Sequence, residues 1–504
     1  MLLHRFRAER KHLPLHPLEK AVLTVVALHL CFLPWAIGTM HAWSQVTSLV
    51  FATIGFGLAL IPRTYSGGYV LPVRPPGPQV PPQVSGFRPQ VSVFRLTMWP
   101  RLLRFPIFWI GLALLGYITV QGFNPSWIWE RNATTWWLRR VDDIPWLPTS
   151  IDTPWERFNL WRQFVIYASA WLTVGTVWVG FTRRRSLEIL LLVIALNGTL
   201  QAFTGLVFRL FRPAYYLLWS RDPYGEVTTF ASFIYKNHAG AWLALIAATL
   251  ITLAALFWQR DLKKMARSSS STLFLVGAVV VFTAEGYTYS RGGTIILAGY
   301  LLLASVAFVA QRLRLGRGAA THPAVAWIVG LLVLACLGYA ARNIDFRGFE
   351  RRFVSLLAFG QEDVSRGQRE LAYLAGWQYL RDHGLRGVGA GGFRYLFPEY
   401  IKRFPEIYNG GHLFWEHAHN DWLETPIELG VAGSLLILSG GIWWISRLFR
   451  LRPWRHLPSL LLTAGLSQTL LHAIFDFPFQ SPAVLVTWLT LAALSLHLLE
   501  LDVK

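Results

Sequence analysis

The stretch HAHNDWLETPIELGVAGSLLILSGGIWWI, residues 417–445, joins a polar motif directly to an apolar run. From His417 to Glu424, eight residues hold two histidines, an amide and two carboxylates. The apolar run that follows, 426–446, is long enough to cross a bilayer as a helix. Titratable groups at this density suit a site that takes a proton from a hydroxyl better than a purely structural segment. The motif therefore predicts a catalytic site at a membrane surface.

The composition places the whole chain in the membrane. Of its 504 residues, 54% are hydrophobic and 15% are charged, whereas soluble chains carry about 25% charged residues. The apolar residues form runs of bilayer-spanning length at 20–37, 43–61, 105–122, 163–181, 187–207, 239–258, 272–288, 294–310, 324–341, 426–446, 457–475 and 483–499. They predict an all-α polytopic membrane protein of about twelve transmembrane helices.

Basic residues predict the orientation. Clusters precede the first run and follow the fourth, sixth, eighth and tenth, at 5–11, 183–185, 260–267, 312–317 and 447–455. All of them fall on one side if the runs alternate, and Lys/Arg in short loops mark the cytoplasmic side. The net charge of +20 is therefore explained without a nucleic-acid partner, and both termini are expected in the cytoplasm.

The chain divides into five predicted regions. These are the N-terminal tail with two helices (1–61), a proline-rich cytoplasmic linker (62–104), helices 3–9 (105–341), a large periplasmic loop (342–425) and helices 10–12 (426–504). The prolines favour an extended linker over a proline-recognition ligand. In the large loop, the glycine-rich run 387–392 does not follow a hydrophobic strand. This favours a tight turn between two loop helices over a phosphate cradle.

The helix after the motif is predicted to begin with a capping box. Thr425 would be the N-cap, Pro426 the first helical residue and Glu428 the third. The motif would then lie at the positive end of a helix dipole, which suits an anionic ligand. Asp421 and Glu424 also form a cap pattern, so a short helix before the proline is the alternative.

Several charged residues lie at the outer ends of apolar runs. Arg291, in a tight turn after the seventh run, either pairs with Glu285 or presents its planar guanidinium to phosphate; we favour the second interpretation. Lys236 and His238 begin the sixth run and either extend toward the membrane surface or line the site. Asp476 is interpreted as a site carboxylate rather than a helix-end residue.

The loop 208–238 holds Arg209, Arg212 and Arg221, of which we expect one to belong to the site. A histidine is the usual general base, because its pKa lies near the working pH. The alternative for either motif histidine is a hydrogen-bonded side chain at the membrane interface. His-x-His with Asp can bind zinc, but no second cluster supplies further ligands, so no metal is expected.

With these residues in place, the chain resembles the O-antigen ligase and O-antigen polymerase superfamily of bacterial membrane glycosyltransferases, from about the fourth run onward. His419-Asn420, nine residues, Gly430, two residues and Gly433 follow the ligase signature. HAHNDWLETPIELGVAG is similar to the superfamily pattern HSHNDYLQLLAELG. Weaker matches are YSRGG (289–293), YKNHAG (235–240), Arg369 and Trp377 followed by GVGAGGF (387–393), and DFP (476–478). Lys236 departs from the commoner form, and the first two runs and the linker match nothing in the family.

The resemblance implies a GT-C-like enzyme on the periplasmic face of the bacterial inner membrane. It would transfer a glycan from undecaprenyl pyrophosphate to a saccharide or protein hydroxyl, with inversion and without a metal or other cofactor. His419 would be the general base, oriented by Asn420, Asp421 or Glu428. The candidates for holding the substrates and the pyrophosphate are Arg291, Lys236, His238, Arg212, Arg221, Arg369, His417 and Asp476.

Several functions remain open at this point. Ligase, polymerase and protein O-oligosaccharyltransferase share the motif. A transporter of lipid-linked saccharide would need charges and broken helices near mid-membrane and inverted repeats, whereas the polar groups here gather at one face. A scaffold of envelope assembly would give no reason for the His-Asn-Asp cluster.

Overall fold

The computed structural model describes residues 14–65, 94–211, 215–216, 220–221, 228–264, 270–315, 338, 364–408 and 414–503. Its helices are α1 (Pro17–Trp35), α2 (Ala42–Leu60), α3 (Trp99–Leu103), α4 (Pro106–Phe123), α5 (Leu160–Gly180), α6 (Arg184–Phe211), α7 (Lys236–Lys264), α8 (Ser271–Tyr287), α9 (Arg291–Leu315), α10 (Val364–His383), α11 (Phe393–Ile401), α12 (Pro405–Tyr408), α13 (Asp421–Leu451), α14 (Leu457–His472) and α15 (Pro482–Val503). Its strands are β1 (Arg63–Tyr65), β2 (Phe94–Leu96), β3 (Pro125–Arg131), β4 (Trp136–Arg140), β5 (Ser150–Asp152), β6 (Tyr215–Tyr216) and β7 (Ser220–Arg221).

Within these residues, nine helices are long and apolar enough to cross a membrane: α1, α2, α4, α5, α6, α7, α9, α13 and α15. They coincide with nine of the predicted runs, and the polytopic helical fold is confirmed at this level. The seventh and eleventh runs correspond to the shorter helices α8 and α14. The ninth run, 324–341, lies outside the described residues apart from position 338. The total of twelve spans and the five-region division therefore stay predictions.

Helix α7 forms the centre of the bundle. Its apolar segment has a mean hydropathy of 2.2 and 94% of its residues are buried, as expected for a helix that is hydrophobic on all sides. It packs against α6, α8, α9, α14 and α15. The bundle core consequently surrounds the helix whose first residue is Lys236.

Because the helices alternate in direction, one end of the bundle carries the starts of α7, α9 and α13 and the connection 124–159. We call this end the loop face. A second apolar core lies here, formed by the buried faces of α10 and α11, the sheet β3–β5 and the first turns of α13. At the opposite end, buried Glu19 accepts hydrogen bonds from Arg63, Thr182, Arg183 and Ser186.

Three small sheets interrupt the helical architecture, which the sequence did not lead us to expect. On the loop face, β3 pairs with β4 in antiparallel and with β5 in parallel orientation, within the tryptophan-rich connection. Strands β1 and β2 pair at the two ends of the proline-rich segment, of which residues 66–93 lie outside the described part. Both strand pairs are edge structures that leave the bundle core helical.

Helix α13 begins earlier than the capping box predicted. Its N-cap is Asn420, whose Oδ1 accepts a hydrogen bond from Leu423 N (3.1 Å), so the assignment of Thr425 as N-cap is wrong. Pro426 lies inside the helix, as in the alternative of a short helix before the proline. The helix then breaks at Gly430, whose φ of 64° and ψ of −174° are not helical. Such a conformation is accessible essentially to glycine alone.

The carbonyls released by this break find partners in other elements. Val388 N donates to Ile427 O (3.0 Å), and Gly389 N donates to Glu428 O (3.0 Å). From α4, Gln121 Nε2 donates to Glu428 O (3.0 Å). The glycine-rich run is thus the predicted tight turn between α10 and α11, and two of its amides bind a helix end instead of a phosphate.

We predict that Gly430→Ala destabilises the fold by at least about 2 kcal/mol, through backbone strain and overpacking. A Cβ at this position would lie within 2.9 Å of backbone atoms of Leu385, Arg386 and Gly387. Thermal unfolding of the detergent-solubilised protein measures the loss. Gly441→Ala, in the same helix with nothing within 4 Å, is the control and should be neutral or stabilising. Equal melting temperatures for the two variants would contradict the role of the break.

Candidate active site

The polar motif lies at the loop face, between helix starts. α7 begins at Lys236, α9 at Arg291 and α13 at Asp421. The turn from α14 to α15 joins them, because Asp421 N donates to Ala473 O (3.0 Å) and Asp476 O (3.2 Å). The positive ends of the helix dipoles favour an anion in this region.

The first motif histidine is fully engaged. His417 Nδ1 donates to Glu424 Oε1 (2.7 Å), and His417 Nε2 accepts from Arg394 Nη2 (3.2 Å). This tautomer follows because a carboxylate accepts and a guanidinium donates. Burial, and then the charge of Arg394, lower the pKa of His417 well below its usual value. The ring is therefore neutral, and both of its nitrogens are used.

The second motif histidine has a free ring. His419 Nδ1 is buried without a hydrogen-bond partner, and the side chain is 23% exposed. The rings of Trp415 and Phe477 lie edge-on to it at centroid distances of 5.5 and 4.9 Å. Burial, followed by the charge of Arg369, lowers the pKa of His419 to about 3. At neutral pH the imidazole is consequently uncharged, and one of its two ring nitrogens carries a lone pair.

The backbone of His419 is held in an uncommon conformation. Its φ is 52°, in the left-handed region that non-glycine residues rarely adopt and that is enriched at functional sites. Tyr373 OH donates to the carbonyl of His419 (3.0 Å), and Ala418 N donates to Glu424 Oε2 (2.7 Å). With the Asn420 cap, these bonds fix the turn on both sides of the histidine.

Asp476 is the carboxylate that faces this imidazole. Within the described part of the chain, no other carboxylate lies within 4.0 Å of a His419 nitrogen, and the distance from Nδ1 to Asp476 Oδ1 is 3.9 Å. This exceeds hydrogen-bond length, and the imidazole is neutral, so the two groups are neighbours and not an ion pair in this state.

The YKNH and DFP elements meet at Asp476. Its carboxylate accepts from Phe477 N (2.9 Å), from Tyr235 OH (3.3 and 3.4 Å) and from Asn237 Nδ2. Burial nevertheless raises the pKa of Asp476 to about 6. His238 donates from Nε2 to Phe477 O (3.1 Å), which binds the turn to the start of α7.

Three cations lie at this end of the bundle, and their charges act on this pair or on one another. Arg369 Nη1 donates to Phe475 O (3.4 Å), and its charge acts on both His419 and Asp476. The charges of Arg291 and Arg369 also act on Lys236. Among the residues that the structure describes, no carboxylate comes within 4.0 Å of any of the three cationic groups. The three cations outnumber the one carboxylate that their charges act on, Asp476, so the site carries an excess of positive charge.

The alternative pairing of Arg291 with Glu285 is not formed. Both carboxyl oxygens of Glu285 are buried without a hydrogen-bond partner, between Gly240 and Gly293, whereas Arg291 is exposed. The separation of the two groups leaves the guanidinium free to meet a ligand.

The other carboxylates of the motif bind backbone amides. Asp421 Oδ2 accepts from Phe479 N (2.9 Å), and Glu428 Oε1 accepts from Phe393 N (3.2 Å) at the start of α11. Their positions fix neighbouring turns, and the described contacts place neither carboxylate against the His419 ring. Arg212 lies outside the described residues, and Arg221 is described only as backbone of β7.

Two residues of the site were missed from the sequence. Arg394 binds His417 and also approaches Glu416 Oε2 (3.4 Å). Tyr235 donates to Asp476 and lies one residue before the predicted Lys236. The YKNHAG match pointed to Tyr235, whereas no sequence signal marked Arg394, which lies 23 residues from His417. Within the described ranges, no three His, Cys, Asp or Glu side chains are arranged to hold a metal ion.

Residues 286–438 match the family model described as O-antigen ligase. No curated protein and no solved structure matches the chain. The resemblance to this family is thereby confirmed over a segment that contains Arg291 and His419, whereas Lys236 and Asp476 lie outside it. With the nine candidate spans, the match supports an O-antigen ligase-like membrane glycosyltransferase with a lipid-linked glycan and an acceptor as substrates.

We predict that Glu424→Ala lowers stability by about 2–4 kcal/mol, since it leaves two buried donors, His417 Nδ1 and Ala418 N, without an acceptor. Thermal unfolding measures the effect. Glu416→Ala is the matched control because its carboxylate is 60% exposed, and it should change stability by less than about 1 kcal/mol. A loss as small as that of the control would show that Glu424 does not hold the motif.

Proposed function

We propose that the protein transfers a glycan from undecaprenyl pyrophosphate to a hydroxyl acceptor at the periplasmic face of the bacterial inner membrane, as an O-antigen ligase. The single observation that carries this proposal is the uncharged imidazole of His419 beside buried Asp476, at a face where Arg369, Lys236 and Arg291 have no carboxylate within 4.0 Å among the described residues. A base and a positively charged anion site in one place match a reaction that deprotonates a hydroxyl and expels a diphosphate.

The proposal assigns the proton transfer to one ring nitrogen of His419. Nδ1 of His419 faces Asp476, so Nε2 is the nitrogen that takes the proton from the acceptor hydroxyl as its oxygen attacks the anomeric carbon. The imidazolium that forms is stabilised by the Asp476 carboxylate, as an aspartate stabilises the histidine of a serine-hydrolase triad. His417 is excluded from this role because both of its nitrogens already have partners.

The leaving group is stabilised by the cations. As the bond between the anomeric carbon and the phosphate oxygen breaks, charge develops on the diphosphate. Arg291, Lys236 and Arg369 would meet this charge, and their effect grows where water is scarce. Attack opposite to the leaving group inverts the anomeric centre. No metal or nucleotide sugar takes part in the reaction as proposed.

An enzyme fits the geometry better than a transporter. The broken helix α13 would suit a transporter, but its break at Gly430 is sealed by backbone and side-chain donors and does not line a described cavity. The cations, the imidazole and Asp476 lie together at the loop face, where an acceptor can reach them from water.

We expect His419→Ala to reduce glycan transfer in proteoliposomes by at least about 10²-fold, because general base catalysis contributes about 10²–10⁴-fold, while binding of the lipid-linked donor is retained. His41→Ala, an exposed histidine on the loop face, is the control. Near wild-type transfer by the His419 variant would exclude the general-base role.

The same variant, expressed in cells, distinguishes a ligase from a polymerase and from a protein O-oligosaccharyltransferase. In a deletion strain, the wild-type gene should restore long chains on the lipid A core and the His419→Ala gene should not. Single-repeat chains in the deletion strain would instead indicate a polymerase, and unglycosylated surface protein would indicate a protein O-oligosaccharyltransferase.

The acid limb of the pH profile is predicted to belong to Asp476. Its pKa of about 6 means that the stabilising carboxylate forms as pH rises through 6, whereas His419, with a pKa of about 3, stays neutral over this range. A plot of kcat/KM against pH should therefore rise near pH 6 in the wild type. Asp476→Asn should lower the plateau and remove this limb, and a limb that persists in the variant would assign it to another group.

A further inference from the structure

We propose that Trp136 and Phe414 form a saccharide subsite that holds a sugar ring away from the reacting bond. The inference rests on the proposed function, because it concerns the glycan chains that meet at His419. Trp136 is 36% exposed and Phe414 is 50% exposed, although both are large aromatic side chains beside the motif.

The ring of Trp136 is held in place without being covered. It lies perpendicular to Tyr395 and to Phe414, with centroid distances of 6.4 Å to each. The hairpin that carries it is closed by Asn132, whose Oδ1 accepts from the amides of Thr134 (2.9 Å) and Thr135 (2.7 Å). A rigid aromatic ring loses little conformational entropy when a ligand binds to it.

The segment that contacts Trp136 also contacts the candidate base. Phe414 is followed by Trp415, whose ring lies 5.5 Å from the ring of His419. Two consecutive residues thus contact the hairpin and the imidazole: Phe414 contacts Trp136, and Trp415 contacts His419. A glycan whose reacting end lies at His419 would pass along these rings with its more distant sugars.

The chemistry of the surface suits a sugar better than lipid. A pyranose has an apolar C–H face, which packs on aromatic rings, and a rim of hydroxyls, which need hydrogen-bonding groups. Arg131 is the cross-strand neighbour of Trp136, and polar Asn132 and Thr135 are exposed beside it. The hairpin also carries the Arg139–Glu130 ion pair (2.6 Å), and charges of this kind oppose insertion into hydrocarbon.

The same strand supplies a matched control. Trp137 is 43% exposed, but it lies on the opposite face of β4 and donates from Nε1 to Glu130 Oε2 (3.0 Å). Trp136 and Trp137 share residue type and strand and are similarly exposed, and they differ in that Trp136 contacts the rings of Tyr395 and Phe414.

The first experiment measures transfer kinetics in nanodiscs, with donor and acceptor varied separately. Trp136→Ala should raise KM for one saccharide substrate about tenfold, the effect of losing roughly 1.4 kcal/mol of binding, with kcat changed less than about twofold. The substrate whose KM changes identifies the source of the sugar as donor or acceptor. Trp136→Phe should restore part of the loss, and Trp137→Ala should match the wild type.

The second experiment does not depend on activity. Saturation-transfer NMR with the soluble oligosaccharide released from the host's own surface glycan should show binding to the His419→Ala protein, weaker binding when Trp136→Ala is added, and no change with Trp137→Ala. Equal effects of the two tryptophan variants, or a loss of kcat or thermal stability with KM intact, would overturn the subsite and indicate packing or a bilayer contact. If the wild type transfers no glycan, the proposed function fails, and the NMR result alone decides the subsite.

Discussion

The geometry of the site depends on one buried carboxylate that binds two parts of the same turn. Glu424 accepts from the imidazole of His417 and from the amide of Ala418, so it fixes a side chain and the backbone that leads into His419. Because Glu424 is buried, its loss would leave both donors without an acceptor, at a cost of about 1–3 kcal/mol each. Arg394 completes the arrangement from the other side of His417. The free histidine is therefore positioned by groups that need not touch a substrate.

The break in α13 places this turn relative to the membrane. Backbone groups within a bilayer must find partners inside the protein, and the amides of the glycine-rich turn supply them at Ile427 and Glu428. These bonds join the second apolar core, with α10 and α11, to the helix that crosses the membrane. Gly430 lies eleven residues after His419, and α13 spans most of that interval. The position of His419 is therefore coupled to the conformation of Gly430.

Features determined by neighbouring residues were predicted better than contacts between residues far apart in the sequence. Runs of apolar residues predicted the spans well, because crossing a bilayer imposes both length and composition. The alternative cap pattern, Asp421 with Glu424, begins one residue after the observed N-cap Asn420, whereas the preferred Thr425 lies five residues after it. His419 and Asp476 are 57 positions apart, and although both were predicted for the site, their proximity to each other was not.

The sheet β3–β5 was not predicted, although its signal is local in the sequence. Trp127 and Trp129 alternate with other residues, and a polar turn at Asn132 precedes a second aromatic segment, so a hairpin signal was present. It was overlooked because the apolar runs on either side dominated the pattern. Assignments in the connections of membrane proteins need the same attention to alternation as those in soluble domains.

The cluster of positive charges at the loop face affects the stability of the folded protein. Arg291, Lys236 and Arg369 repel one another when nothing lies between them, and a polyanion removes that repulsion. Whatever binds the folded form in preference to the unfolded one also stabilises it. Ligand binding and folding are thus linked, and a polyanion that neutralises the three cations would raise the free energy of unfolding.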